Sequence, residues 1–288
     1  MTKSPSAMVE LRLGPNRSLR FEQPLVMGIL NVTPDSFSDG GRYASSDAAI
    51  THALEMVEQG ADIIDIGGES SRPGAKPVSA DEELTRVIPV VSSLRKQSTI
   101  PISIDTYKST VAEAALDAGA DIINDISALR MDPELATVAA ATHAPVILMH
   151  MLGTPRTMQE NPHYDNCVEE IAAFFRERIE FCLQNGIPRD KLILDPGIGF
   201  GKRLEDNLAI LAGLARFKQF DVPVLVGASR KSFIGQVHTG GLTARQRLGG
   251  SIAAAVVAIQ RGADIVRVHD VAETVEALKV LRAITEES

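Results

Sequence analysis

This chain has little sulfur chemistry to offer, no excess of positive charge and no long apolar run. Its two cysteines, Cys167 and Cys182, share one helix-like stretch without metal-ligand spacing, so reduced thiols are expected rather than a disulfide framework. A net charge of −8 argues against general binding to nucleic acid or to an anionic membrane. Any phosphate must therefore be held by a local cluster of donors. No apolar stretch approaches the roughly 18 residues of a membrane span, and the N-terminus lacks the apolar core of a secretory signal. The expectation is a soluble, cytoplasmic protein. The six histidines lack the paired helical spacing of a zinc site. No linker or low-complexity stretch divides the 288 residues, which read as a single domain, 1–288.

What the sequence does contain is a repeat. Gly-Ala-Asp-Ile occurs at 60–63, 119–122 and 262–265, each time after a helix-like stretch and before a short apolar run with a polar end. Glycine can end a helix in the left-handed conformation without steric cost. The Ile/Val runs that follow do not alternate, as expected of parallel strands buried on both faces. Eight such strand candidates fall at 25–30, 62–66, 101–104, 121–124, 145–149, 191–194, 223–226 and 264–268, with helix signals between them. Before these, 9–13 and 17–21 flank Gly14-Pro15-Asn16 and read as a hairpin closing a barrel floor. Alternation of this kind predicts an α/β fold, a (β/α)8 TIM barrel, with a doubly wound sheet as the alternative.

In such barrels chemistry gathers where the strands end. The ends here carry Asn31, Glu69 to Arg72, Asp105, Asn124, His150, Asp195, Ser229 to Lys231, and Arg267 with His269. Taken alone, Asp105 before Thr106 could simply cap the next helix. Polar residues at every strand end are harder to dismiss, and their mixture suits a flat polar heterocycle together with an anion. Two loops, 31–41 and 67–75, carry Asp35, Phe37, Arg72 and Pro73 among small residues and could close as lids. The glycines of Gly197-Ile198-Gly199-Phe200-Gly201-Lys202 fit neither phosphate-loop spacing, and Gly227-Ala228-Ser229-Arg230-Lys231 lacks the last glycine of a nucleophile elbow.

These segments, in this order over about residues 25–275, closely resemble the dihydropteroate synthase family. The resemblance is carried by Met27 to Gly41, Gly67 to Ala75, Ser103-Ile104-Asp105-Thr106, Ile123-Asn124-Asp125, Asp195-Pro196-Gly197, Gly227 to Ser232 and Arg267 to Asp270. Ser71 stands where threonine is common, and Leu152 where a polar residue is usual. The resemblance implies a transferase of folate biosynthesis and sulfonamide target, which condenses 6-hydroxymethyl-7,8-dihydropterin diphosphate with p-aminobenzoate and releases pyrophosphate. It implies pterin binding by Asp105, Asn124, Asp195, Lys231, Arg267, Met149, Ile126 and Gly227. Pyrophosphate falls to Asn31, Arg72, Arg267 and His269, with Asn31 also holding Mg2+ as the cofactor. The p-aminobenzoate site comprises Phe37, Ser71, Pro73, Phe200, Lys231 and Ser232. Asp105, Arg72, Lys231, Arg267 and His269 are the implied catalytic groups, and the resemblance further implies a homodimer with small-molecule substrates and no nucleic-acid or membrane partner. Two alternatives remain at this point, a pterin-dependent methyltransferase domain and an inactive synthase-like binding protein.

Overall fold

A computed structural model describes residues 10–14, 17–33, 41–70, 74, 77–238 and 241–287. The chain opens with an antiparallel hairpin, β1 (Glu10–Gly14) and β2 (Arg17–Arg20), in which Leu11 faces Leu19. Eight parallel strands follow: β3 (Leu25–Asn31), β4 (Ile63–Gly67), β5 (Ile102–Asp105), β6 (Ile122–Asp125), β7 (Val146–Met149), β8 (Leu192–Asp195), β9 (Leu225–Val226) and β10 (Ile265–Val268). Helices alternate with them: α1 (Gly41–Glu58), α2 (Ala80–Gln97), α3 (Ser109–Asp117), α4 (Glu134–Thr142), α5 (Cys167–Gln184), α6 (Leu204–Ala212), α7 (Ser232–Gln236), α8 (Leu248–Gln260) and α9 (Val271–Glu286). The strands pair in the order β8-β7-β6-β5-β4-β3-β10-β9. A single parallel bridge, Leu194 to Val224, with the Leu194 amide donating to the Pro223 carbonyl at 2.9 Å, joins the two ends. The result is the expected barrel, with the hairpin beneath it.

The three repeats do one job three times. Gly60, Gly119 and Gly262 stop α1, the α3 segment and the α8 segment with φ of +98°, +111° and +102°. The alanine after each glycine donates its N–H back into the helix, to Met56, Ala115 and Ala258 carbonyls at 2.9, 2.8 and 2.9 Å. Each aspartate then accepts a backbone N–H at the start of a neighbouring strand. Asp62 takes that of Val26 at 2.8 Å, Asp121 that of Ile102 at 2.9 Å, and Asp264 that of Val224 at 2.7 Å. Strand pairing accordingly begins at the following residue, one later than the sequence pattern suggests at 62, 121 and 264. Asp121 also binds Arg17 of the hairpin at 2.7 Å, which latches the floor to the barrel wall.

Alternate residues of a barrel strand share a face. The inward positions form an apolar floor of Met27, Ile63, Ile122, Ile147, Ile193, Leu225 and Ile265, covered from below by Leu11 and Leu19. Two residues further along the same strands come Asp65, Asn124, Met149, Asp195, Gly227 and Arg267. One pleat therefore separates a dry layer from a polar one. The outward Ile, Val and Leu residues pack against the helices in two continuous clusters.

Candidate active site

The centre of the polar layer is an ion-paired triad. Arg267 on β10 donates from Nε to Asp65 Oδ2 at 2.6 Å and from a terminal nitrogen to Asp105 Oδ2 at 2.7 Å. Asn124 on β6 donates from Nδ2 to the same Asp65 oxygen at 3.1 Å. Asp65 is fully buried. Burial works against the Arg267 charge, but the two carboxylates hold its pKa above the ordinary arginine value. Burial pushes the Asp105 carboxyl up to about 7; Arg267 opposes this and the nearby Asp65 charge reinforces it. Asp105 is thus committed to the barrel mouth and caps nothing: α3 begins after Lys108, whose amide is bound by Thr106 Oγ1 at 3.2 Å.

Asp195, at the end of β8, is buried, and burial raises its carboxyl pKa. Its Oδ1 accepts the Gly197 N–H at 2.7 Å, which orients the carboxylate. Gly197 has φ +66°, and a Cβ there would lie 2.0 Å from the His150 carbonyl oxygen, so the turn admits no side chain. The glycine loop beyond it is a brace. Gln159 donates to the Gly199 carbonyl at 2.9 Å, Lys202 to Phe200 at 3.0 Å and Tyr164 to Gly201 at 2.8 Å. Lys202 also lies 3.0 Å from His150 Nδ1. Burial draws Lys202 down to about 7 and holds His150 well below the usual histidine range. Phe200 is thereby set under Lys231, whose ammonium lies 4.0 Å from the ring centroid.

The segment after β9 is held with similar care. Arg230 adopts a left-handed φ of +57°, and its guanidinium binds Asp270, with Nε 3.0 Å from Oδ2. Its amide donates to Ser251 Oγ at 2.9 Å, and its carbonyl accepts from Arg247 at 2.9 Å. These contacts present Ser229, Lys231 and Ser232 to one cleft of about 560 Å³, also lined by Asn31, Asp105, Phe200, Gly227, Arg267 and His269. Ile126, Met149 and Phe200 form an apolar wall with Met151 and Met158.

Most expected site residues therefore meet. Asp105, Asn124, Asp195 and Arg267 occupy the strand ends, Ile126 and Met149 the wall, and Asn31, Lys231, Ser232 and His269 the cleft. Phe37, Ser71, Arg72 and Pro73 lie outside the described residues. His150, grouped with the strand-end residues, turns instead to Lys202. Sequence reading missed Asp65, although a carboxylate inside the run Ile63-Ile64-Asp65-Ile66 signals a buried partner. It also missed Met158 and Gln159, which line the cleft from a distant loop and carry no local signal.

Comparison with known proteins identifies the family. Residues 27–269 match the family described as pterin binding enzyme. The chain is 53% identical over 266 residues to Escherichia coli K12 dihydropteroate synthase, covering 92% of this chain and 93% of that one. The Xanthomonas albilineans dihydropteroate synthase structure with 4-aminobenzoic acid superposes with a TM-score of 0.91 at 48% identity, covering 97% and 99% of the two chains. A structure of the X. albilineans enzyme with 7,8-dihydropteroate gives 0.85 at 47% identity, covering 94% and 97%. With a family match across most of its length and these full-length relatives, the chain belongs to the dihydropteroate synthase family of transferases.

Proposed function

We propose that the cleft joins 6-hydroxymethyl-7,8-dihydropterin diphosphate to p-aminobenzoate, releasing pyrophosphate, as a step of folate biosynthesis. The observation that carries this reading is the Asp65–Arg267–Asp105 triad beside Asn124 and Asp195, directly above an apolar floor. A pterin presents ring N–H donors along one edge. Asp195 keeps an oxygen beyond its bond to Gly197 to accept from them, and Asn124 extends the array. Lys231 donates to the ring acceptors, Arg267 lies along the ring, and Met149, Ile126 and Gly227 bound its faces.

The diphosphate then reaches Asn31, Arg267 and His269, with Arg72 added from its loop. Asn31 supplies a neutral, hard oxygen at the cleft, and no cluster of three acidic, histidine or cysteine side chains exists among the described residues. That donor set fits Mg2+ bound mainly through phosphate oxygens and water rather than in a protein cage. When bound, Mg2+ would neutralise the diphosphate. As the methylene C–O bond breaks, positive charge develops on the pterin, and ionised Asp105 offsets it. The p-aminobenzoate nitrogen forms the new C–N bond and gives up a proton. Its carboxylate is taken by Lys231 and Ser232, and its ring by Phe200 with Phe37, Ser71 and Pro73; sulfonamides would compete there. The presence of Asn31 and His269 beside the pterin groups favours this reaction over methyl transfer.

The test is to mix protein, pterin diphosphate, p-aminobenzoate and magnesium and to look for dihydropteroate and pyrophosphate. Because Asp105 must be ionised and burial raises its pKa, kcat/KM for the pterin should fall with decreasing pH well above the ordinary carboxylate range. Asp105→Asn should give a low rate without that limb. An unchanged limb in the variant would assign it to another group.

No helix among the described residues is long and apolar enough to cross a membrane. A homodimer is supported by one apolar face on α6, α8 and the residue that follows α7, where Leu208, Val257 and Val237 are exposed at 45%, 39% and 60%. Part of the small-residue stretch within α8 is buried in the protomer itself, at Ser251, Ala254, Ala255 and Ala258. A solution mass equal to one 30.9 kDa chain would rule the dimer out.

A further inference from the structure

The structure assigns Ser229 as the residue that fixes the tautomer of His269, leaving Nε2–H as the donor aimed at an anion in the cleft. This rests on the proposed pyrophosphate site. Ser229 Oγ lies 3.0 Å from His269 Nδ1, and the same oxygen accepts the His269 backbone N–H at 3.2 Å. The hydroxyl is buried and contacts no other acceptor among the described residues. Although Ser229 borders the cleft, Nδ1 is the acceptor that its single proton meets among the described residues, and donation there keeps that proton hydrogen-bonded. Nδ1 is then the acceptor, and the ring proton resides on Nε2.

The surroundings keep the ring neutral. Burial and the charges of Arg230 and Arg267 lower His269 to about 3, with Lys231 acting in the same direction and Asp270 against it. A ring this reluctant to take a proton is a poor base for Ser229, so the pair is unsuited to a covalent role. It is well suited to presenting one directed N–H among cations. Ser229 is consequently a positioning residue and needs no contact with substrate. The strained, braced backbone at Arg230 serves the same end, since it fixes the adjacent Ser229 opposite β10.

Nitrogen-15 NMR of the wild-type imidazoles, with His269→Ala identifying the resonances, should show His269 unprotonated at Nδ1 and protonated at Nε2. Ser229→Ala should shift both resonances towards averaged values as the tautomers mix. Calorimetric titration of inorganic pyrophosphate with magnesium should show about a tenfold weaker affinity for Ser229→Ala. In a His269→Ala background the same change should have no further effect. A wild-type Nδ1–H, or a tenfold loss that persists without His269, would overturn the assignment. Failure of wild-type protein to bind pyrophosphate would instead count against the anion site, while the NMR result would still decide the tautomer.

Discussion

Arg267→Met should abolish turnover and cost roughly 3–5 kcal/mol of stability, the range for breaking a buried ion pair by removing one partner. Arg267 is the cation shared by Asp65 and Asp105. Methionine fills much of the arginine stem's volume but leaves both carboxylates facing each other in a desolvated layer. The sign of the pH dependence follows. With the cation gone, the Asp105 carboxyl, already raised by burial, loses the charge that opposes that rise and moves further above its unfolded value. The variant should then be closest to wild type in acid, where Asp105 is neutral, and lose ground as pH rises through that raised value. Urea unfolding at several pH values, alongside product formation, checks this. A stability difference independent of pH would mean that the triad is not the source.

Asp195→Asn should preserve the fold and weaken pterin binding by at least about tenfold, since a hydrogen bond to a charged group contributes about 1.5–3 kcal/mol. The amide oxygen can still accept the Gly197 N–H that Asp195 Oδ1 accepts at 2.7 Å. The amide nitrogen would then confront the N–H edge of the ring, donor against donor. Calorimetry with the pterin alone isolates the effect from chemistry, and unchanged affinity would remove Asp195 from the site.

The legible features were those with short-range causes. The Gly-Ala-Asp-Ile repeats announced helix stops and strand starts because both are set within a few residues, and their strand ends placed Asn124 and Arg267 correctly. The cap of α2 has a cause of the same short range: Ser79 Oγ accepts the Glu82 N–H at 3.2 Å. What escaped was the choice of partner. Asp65 and Arg267 are separated by 202 positions, and Lys202 meets His150 across 52. Only barrel closure brings such pairs together, and no pattern along the chain encodes which acid an arginine will meet. Gln159 likewise reaches the cleft from a loop with no periodicity.

The closing seam of the barrel gives the substrate a mechanical role. Leu194 and Val224 supply the single bridge between β8 and β9, and β9 itself is only two residues long. Asp195 stands on one side of that seam and Lys231 follows the other. A pterin held by both would act as a rivet across the joint that the backbone fastens least. Ligand energy would then be spent partly on shutting the cylinder, and binding would be felt far from the ring, in slower amide hydrogen exchange along residues 223–226. Equal exchange with and without the pterin would show that the joint is already closed by its side chains.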